Sequence, residues 1–354
     1  GNAKGVVINH ENLMFSTIAR LETYPDAAAF LLLSSISFDS SVAGIFGTIT
    51  GGAKLVFAPK IRVSDVDTII DILVEEEVSH LLTVPSYYQL LLNQLGEHPN
   101  NLKTVIVAGE ECTKQLVDLH QKVTTLKNCK LFNEYGPTEC TVWASYYVYE
   151  PAVEFIPSIG KPIANSSVYI LNDNNELSID GLIGEIHIAG KGLSGGYWNN
   201  PELSKEKFVD NPFEIGTKMY KTGDLAKRFS DGNIEFLGRK DNQIKIRGNR
   251  LELGEIENAL LNFKGIDGAV VTYSEGTLVG HILTDIVINI DNLKKHLKEQ
   301  LPVYAVPTSY TQSNEFPLLP NGKVDKKALV VLANKHTLKG DSYVPPSNET
   351  EAAL

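Results

Sequence analysis

Residues 65–84 have the sequence DVDTIIDILVEEEVSHLLTV, in which a helix-like segment runs directly into a strand-like one. Apolar side chains at helical spacing mark the first segment: Val66, Ile69, Ile70 and Leu73. Residues 81–84 form a short apolar run of the kind found in buried strands, and residues 104–108 (TVIVA) form a second one. This alternation predicts parallel βα units and therefore an α/β fold.

The sequence changes in character further along the chain. Residues 151–238 are dense in glycine and carry short alternating runs, which are typical of antiparallel strands. A smaller α+β unit is expected to follow, and its first helix is predicted from one apolar stripe: Leu253, Ile256, Leu260 and Phe263. Residues 331–354 are polar and contain Pro345-Pro346, which predicts a linker that runs into a further domain.

The composition narrows the class of protein. Of the 354 residues, 43% are hydrophobic and 21% are charged, the balance of a water-soluble globular protein, and no apolar run is long enough to span a membrane. A net charge of −11 argues against nucleic acid as a partner, because phosphate binding needs clustered cations. Three scattered cysteines predict packing residues in a reducing cytoplasm rather than disulfides.

The segment Tyr135-Gly136-Pro137-Thr138-Glu139 follows a short apolar run. Such a turn places Thr138 and Glu139 at the end of a strand, where ligand sites of α/β proteins form. A carboxylate beside a hydroxyl suits a phosphate-bound magnesium ion, although an ordinary turn has the same pattern.

The segment Tyr220-Lys221-Thr222-Gly223-Asp224 resembles it. An aspartate after glycine in a loop can accept hydrogen bonds from the two vicinal hydroxyls of a ribose. The alternative is an aspartate that only caps its own turn.

Two charged turns lie nearer the C-terminus. Residues 238–248 are dense in charge and bounded by glycines, which suits either a solvated strand pair or a basic loop with a hinge at Asp241. Residues 321–325 form a turn that carries Lys323, which is either an exposed lysine or a cation presented to a carboxylate and a phosphate together.

The order of these segments resembles that of the adenylate-forming enzymes, and in particular of the adenylation domains of nonribosomal peptide synthetases. The resemblance covers essentially the whole chain. Seven segments carry it in sequence order: residues 4–6, 38–42, 135–139, 184–198, 220–224, 238–257 and 321–323.

The resemblance implies a fold with a large subdomain over residues 1–238, made of βα layers and a small β-barrel-like part. A smaller α+β subdomain would cover residues 239–330, and residues 331–354 would lead to a carrier domain. The family's first α/β subdomain would lie upstream. Only the tail of the family's phosphate loop is present, and Ala3 stands where proline is usual.

The resemblance also implies roles in a reaction of ATP with an amino acid, through an AMP adduct. Glu139 would hold magnesium, and Thr138 and Lys4 would lie at the phosphates. Lys323 would bridge the substrate carboxylate and the reacting phosphate, and Asp241 would be the hinge between subdomains. The remaining nucleotide-binding positions would be Asp224 and Arg239 at the ribose, Tyr135 and Phe236 flanking the adenine, and Asn133 and Gly109 at its edge.

By the same resemblance ten positions would form the pocket for the amino acid: Asp39, Ser40, Ala43, Thr83, Ile106, Ala108, Glu134, Val142, Trp143 and Lys323. Asp39 would neutralise the substrate ammonium. Small residues at 40, 43 and 108 predict a deep pocket with apolar walls. Glu134 is expected to accept a tyrosine hydroxyl, to pair with an arginine side chain, or to point away and cap backbone groups. We therefore expect a large substrate, tyrosine first and arginine second.

The implied partners are the amino acid, a carrier domain with its phosphopantetheine thiol, and the upstream part of the same domain. One alternative is an acyl-CoA synthetase or luciferase-like enzyme with the same ATP chemistry, against which Asp39 argues because a fatty acid has no ammonium. Another is a non-catalytic domain of the same fold, against which the joint presence of Glu139, Asp224 and Lys323 argues.

Overall fold

The computed structural model describes most of the chain, in two compact units. The described residues are 4–58, 65–96, 98–151, 153, 155–240, 243–246, 249–274, 276–317 and 324–333. The larger unit covers residues 3–241 with 247–249, and the smaller one covers residues 242–246 and those from 250 onward. The family resemblance implies this division at residues 238–239.

The larger unit begins with alternating helices and strands. Its helices are α1 (His10–Thr23), α2 (Ser40–Gly51), α3 (Val66–Glu75), α4 (Pro85–Leu95), α5 (Lys114–Lys122) and α6 (Pro201–Lys207). Its strands are β1 (Ala29–Leu32), β2 (Lys54–Phe57), β3 (His80–Thr83), β4 (Thr104–Ala108), β5 (Lys130–Tyr135), β6 (Ser145–Tyr149), β7 (Ser158–Pro162), β8 (Ser166–Leu171), β9 (Gly184–Gly190), β10 (Phe208–Asp210), β11 (Lys218–Arg228) and β12 (Ile234–Arg239).

The βα prediction is confirmed. Strands β1 to β5 are parallel neighbours in the order β2-β1-β3-β4-β5. Helix α3 begins after Asp65, whose carboxylate accepts from the backbone N–H of Thr68 and so satisfies a donor that the first helical turn leaves open. Alternate strand residues point to opposite faces, so Leu81 packs toward α3 and α4 while Leu82 packs toward α1 and α2.

The second half of the larger unit continues the same sheet with antiparallel strands. The order runs on as β5-β6-β7-β12-β11-β9-β8, with β10 paired to β11. Among the described residues this order is open, with β2 and β8 at its two ends, so the expected barrel-like part is instead an extension of the sheet. The antiparallel character of residues 184–190 is confirmed.

The Tyr220–Asp224 segment differs from its prediction. It lies inside the long strand β11, not in a loop. The pairing of β11 with β12 is irregular between Asp224 and Ala226, and its pairing with β9 shifts between Lys221 and Leu225. A bulge of this kind redirects a side chain from a strand, which is what a loop was expected to do.

The smaller unit has its own core. Its elements are β13 (Gln243–Ile246), β14 (Asn249–Glu252), α7 (Leu253–Leu261), β15 (Gly268–Ser274), β16 (Thr277–Leu283), α8 (Ile290–Gln300), β17 (Ser309–Ser313) and α9 (Lys326–Ala333). The predicted α7 stripe is confirmed for Leu253, Ile256 and Leu260, which are buried, whereas Phe263 lies beyond the end of the helix. Strands β15 and β16 are antiparallel, and β17 pairs parallel to β16.

The expected start of the linker, at residue 331, is wrong. Helix α9 continues to Ala333, because the apolar run of residues 329–333 supplies Leu329 and Ala333 to the core of the smaller unit. The rest of the expected linker lies outside the described residues. Among the residues that are described, none of the helices combines the length and apolarity needed to cross a membrane.

Candidate active site

Strand β5 ends between two side-chain environments. Glu134 faces the cluster beneath α1 and α2, whereas Tyr135, the next residue, packs with β9, β11 and β12. Because successive strand residues point to opposite faces, one strand end serves two sites. The prediction that Thr138 and Glu139 come at the end of a strand is confirmed, since β5 ends at Tyr135 and Thr138–Cys140 form a single 3₁₀ turn.

On the Tyr135 side, Asp224 receives two donors. The Tyr135 hydroxyl donates to Oδ2 and the Arg239 guanidinium donates to Oδ1, while a second Arg239 nitrogen bonds the carbonyl of Thr222 at 3.0 Å. Burial and the Asp224 charge raise the pKa of Tyr135 well above its usual value, so its hydroxyl keeps the proton that it donates. Phe236 lies beside Tyr135 with ring centroids 6.0 Å apart.

Glu139 is buried, and two tyrosines hold it. Its Oε1 atom accepts from the hydroxyls of Tyr197 at 2.6 Å and Tyr220 at 2.8 Å. Burial and the Glu139 charge raise the pKa of Tyr197 far above its ordinary value. Tyr220 sits in the segment whose Asp224 was singled out, and no periodic pattern in the sequence indicates that either tyrosine serves this carboxylate.

The carboxylate of Glu139 fits the magnesium role. Magnesium with a nucleotide is bound by one or two protein carboxylates plus phosphate oxygens and water. Among the described residues no three His, Cys, Asp or Glu side chains form a metal-binding group of their own.

Asp39 and Thr138 meet although 99 positions separate them. The Thr138 hydroxyl donates to Oδ2 of Asp39 at 2.5 Å. Asp39 immediately precedes α2, and its side chain does not cap that helix. The contact joins a residue expected at the substrate ammonium to one expected at the phosphate.

Three further residues expected at the nucleotide lie at different places in the larger unit. The Asn133 amide donates to the carbonyl of Ser158 at 2.8 Å. Gly109 follows β4 with φ of 86°, a left-handed conformation that glycine adopts readily. Lys4 is exposed near the start of the larger unit.

The expected pocket residues group around α2 and the ends of β3 to β5. Trp143 and Ile106 are almost fully buried in one cluster, against which Val142 packs. Ala43 is buried in α2, and the Ser40 hydroxyl contacts that of Ser34 at 2.9 Å. Thr83 and Ala108 are half-buried at the ends of β3 and β4.

Backbone strain shapes the Trp143 segment. Thr141 and Val142 have φ of 55° and 81°, which is unfavourable for β-branched residues. A Cβ at Gly136 would lie 2.3 Å from the Trp143 Cα, so the two backbones touch where only glycine fits. The Ala144 N–H also donates to the carbonyl of Tyr135 at 2.8 Å, which closes the turn.

Glu134 has a partner that sequence reasoning missed. Arg20 donates to both carboxylate oxygens at 2.9 Å, and the Tyr24 hydroxyl donates to Oε1 at 2.7 Å. The expectation offered a substrate tyrosine, a substrate arginine or backbone groups, and the structure instead supplies an arginine and a tyrosine of the protein. The four-residue spacing of Asn12, Ser16 and Arg20 does not reveal it, because a solvated helix face has the same spacing.

Two candidates cannot be placed. Lys323 and Asp241 lie outside the described residues.

The fold agrees with comparison against known families. The model of the AMP-binding enzyme family matches residues 1–198. The chain belongs to the AMP-binding enzyme family. Its members are adenylate-forming ligases, and the relatives below place this chain among the adenylation domains of nonribosomal peptide synthetases.

One curated relative and two solved structures illustrate the family. Bacitracin synthase 3 from Bacillus licheniformis is 42% identical over all of this chain, which spans only 6% of that protein. The Vibrio cholerae adenylation domain AlmE has a TM-score of 0.82 and 25% identity, over 94% of this chain and 64% of that one. A nonribosomal peptide synthetase protein containing adenylation and PCP domains has a TM-score of 0.74 and 26% identity, over 86% and 53%.

Proposed function

We propose that this chain uses ATP to convert an amino acid into an aminoacyl-adenylate and pyrophosphate. The observation that carries the proposal is the 2.5 Å contact between Asp39 and Thr138, with Glu139 next in sequence. It brings a carboxylate suited to an ammonium group into contact with a hydroxyl suited to a phosphate, and the residue after that hydroxyl supplies a carboxylate suited to magnesium. The AlmE structure is a complex with glycyl-adenosine-5'-phosphate, which is the same class of product.

In the proposed reaction an oxygen of the substrate carboxylate attacks the α-phosphorus of ATP, and the bond to pyrophosphate breaks. Negative charge grows on the phosphoryl oxygens, so positioned cations and donors account for most of the catalysis. Thr138 would donate to a phosphate oxygen, and Arg239 would add positive charge nearby. Asp224 would hold the ribose, with Tyr135 and Phe236 beside the adenine. Magnesium, when bound at Glu139, supplies further positive charge.

Three other residues are proposed to bind the remaining parts of ATP, namely the edge of the adenine and the triphosphate. Asn133 and the backbone of Gly109 would recognise the adenine edge, and Lys4 would approach the phosphates. Lys323 would bridge the two reactants, and Asp241 would be the hinge. These assignments rest on the family resemblance.

The amino acid is proposed to be large, with tyrosine first and arginine second. Small residues at 40, 43 and 108 leave depth, and Ile106 and Trp143 supply buried apolar walls. Because Arg20 already compensates the charge of Glu134, a cationic substrate would gain little from that carboxylate, which ranks arginine below tyrosine. Small amino acids would leave a cavity, which costs a few kcal/mol.

A second step is proposed, in which the aminoacyl group passes to the phosphopantetheine thiol of a carrier protein. The support is a solved neighbour that contains adenylation and PCP domains and is bound to a vinylsulfonamide inhibitor.

The test is amino-acid-dependent exchange of pyrophosphate into ATP by the purified protein. We expect exchange with tyrosine to exceed that with glycine, alanine or valine by about tenfold or more, equal to about 1.4 kcal/mol. Lys323→Ala and Asp39→Ala should each lower exchange by at least about a hundredfold, because each removes a charge held against a reactant.

Three outcomes would contradict the proposal. Exchange driven by fatty acids instead of amino acids would indicate an acyl-CoA synthetase or luciferase-like enzyme. No exchange with any acid would indicate a non-catalytic domain. Efficient exchange with valine, with tyrosine and arginine inert, would show that the pocket is assigned wrongly.

A further inference from the structure

Helix α1 carries a buried polar stripe. Asn12, Ser16 and Arg20 recur every fourth residue, and Tyr24 follows at the same spacing just beyond the helix end. All four are less than one-tenth exposed, at 6%, 7%, 4% and 6%. Residues four apart lie on one face of a helix, so this face meets the sheet with polar groups where apolar ones are usual.

The members of the stripe bind segments that are distant in sequence. The Asn12 amide donates to the carbonyls of Lys191 and Leu193, both at 2.9 Å. The Ser16 hydroxyl donates to the carbonyl of Thr141 at 2.8 Å. The stripe therefore fixes the loop after β9 and the strained turn before β6, and neither contact is local in sequence.

Arg20 makes the strongest of these contacts. Its two terminal nitrogens meet the two oxygens of Glu134, and the side chains of the pair are 5% and 2% exposed. A bidentate arginine–carboxylate pair fixes direction as well as distance. Burial acts to lower the pKa of Arg20, but the charge and hydrogen bonds of Glu134 outweigh it, so the pKa is raised.

The same guanidinium lies over Trp143, a proposed wall of the substrate pocket. The Arg20 Cζ is 4.5 Å from the centre of the Trp143 ring, and the Tyr24 ring stacks on that indole at 6.0 Å. A cation over an indole face is attracted by the ring, more so when water is excluded. The indole is thus held by the network that holds Glu134.

Helix α2, which carries Ser40 and Ala43, also rests on Arg20. A Cβ at Gly47 would lie 3.0 Å from the Arg20 Cδ, so the helix backbone passes directly over the aliphatic part of this side chain. One arginine therefore touches the helix, the strand and the indole that would surround the substrate side chain.

We propose that Arg20 is a positioning residue that sets the amino-acid pocket by holding Glu134 and Trp143, without touching the substrate. This inference rests on the proposed function, because Trp143 is a pocket wall only if the chain activates an amino acid. An alternative is a pair that only stabilises the fold, and the experiment must separate the two.

The decisive variant is the double change Arg20→Met with Glu134→Leu. Loss of one partner would leave a buried charge and risk unfolding, whereas apolar residues of similar volume often replace a buried pair without loss of stability. We expect this variant to fold, with a KM for tyrosine raised about tenfold and a KM for ATP within about twofold of the parent. Selectivity for tyrosine over alanine should fall by a similar factor.

A spectroscopic measurement reports on Trp143 directly. The chain has two tryptophans, and Trp198 is 70% exposed, so Trp198→Phe makes the emission report on Trp143 alone. In that background the double variant should shift the emission and increase quenching by acrylamide. Arg20→Lys keeps the charge but loses the planar guanidinium. Its emission maximum and its quenching by acrylamide should lie between those of the parent and the double variant.

A matched control removes another arginine–carboxylate pair. Arg228 and Asp180 form an exposed pair at 2.8 Å, and Arg228→Met with Asp180→Leu should leave both KM values and the emission unchanged. A folded Arg20/Glu134 double variant with parental KM, selectivity and emission would overturn the inference. If the parent shows no exchange with any amino acid, the proposed function fails, and the emission still decides whether Arg20 positions Trp143.

Discussion

Two neighbouring residues of β5 take part in two similar networks with different degrees of closure. Glu134 is bound by an arginine and a tyrosine, and Tyr135 joins an arginine on Asp224. Around Glu134 both terminal nitrogens of the guanidinium bind the carboxylate. The Arg20 side chain is 5% exposed and the Glu134 side chain is 2% exposed. Around Asp224 one guanidinium nitrogen binds the carboxylate and another binds a backbone carbonyl. The Arg239 side chain is 13% exposed and the Asp224 side chain is 6% exposed.

The difference indicates different tasks. A buried carboxylate gripped on both oxygens has no reason to exchange partners, because each lost bond would leave a charge without compensation. Asp224 lies at a bulged strand, and its arginine also binds a backbone carbonyl. When a ligand arrives, this carboxylate can therefore change partners at a lower cost in free energy. We infer that the network around Glu134, the closed network, shapes a pocket. The network around Asp224, the open network, binds a ligand.

The largest effect is expected from opening the closed network on one side. Glu134→Ala leaves Arg20 buried with its charge unpaired, which should lower the free energy of unfolding by about 3–5 kcal/mol. Denaturant or thermal unfolding of the purified protein measures it. A loss below about 1 kcal/mol would mean that water reaches Arg20, and the contrast between the networks would disappear.

The next effect concerns the open network. Asp224→Asn keeps the shape of the side chain but weakens two charge-assisted hydrogen bonds, each of which contributes about 1.5–3 kcal/mol. We expect the KM for ATP to rise at least about tenfold, with the KM for the amino acid nearly unchanged. A rise in the amino-acid KM alone would contradict the assignment of this network to the nucleotide.

The smallest effect comes from two glycines of α2. Gly47→Ala would place a methyl 3.0 Å from the Arg20 Cδ, and Gly51→Ala would place one 3.0 Å from the Leu21 Cδ2. Gly47→Ala gains about 0.5–1 kcal/mol of helix propensity, and Gly51→Ala, at the last residue of α2, gains less. We expect only Gly47→Ala to raise the amino-acid KM, by about twofold to fivefold, with exchange kinetics as the measurement. Equal KM values in the two variants would show that Arg20 can shift without consequence.

Much of the fold was predictable because its signals are local. The stripe of α3 and the run of β4 each specify an element within a few residues, and the segment after β5 was correctly placed at a strand end. The glycine of the Asp224 segment predicts a loop, whereas pairing with β9 and β12 keeps the segment in a strand with a bulge. Tertiary pairing outweighs local preference there.

The site was predictable only where order along the chain carries information. The contact of Asp39 with Thr138 joins two segments that the family resemblance singles out, although the sequence does not predict the contact itself. Arg20 and Glu134 are 114 positions apart, and an arginine in an amphipathic helix ordinarily predicts an exposed side chain. Periodicity does not report which face of α1 is polar and buried, since a solvated stripe has the same spacing.

The tight turn at residues 136–143 has a practical consequence for anyone who wishes to alter the substrate. Thr141 and Val142 are held in left-handed conformations by a backbone that presses against Gly136, so the proposed pocket residues Val142 and Trp143 do not vary independently of the turn. Single substitutions at 142 or 143 would inherit a geometry tuned to the present side chains. Residues 136–143 are better replaced together as one segment, along with Ser16 and Arg20 of α1, which contact them.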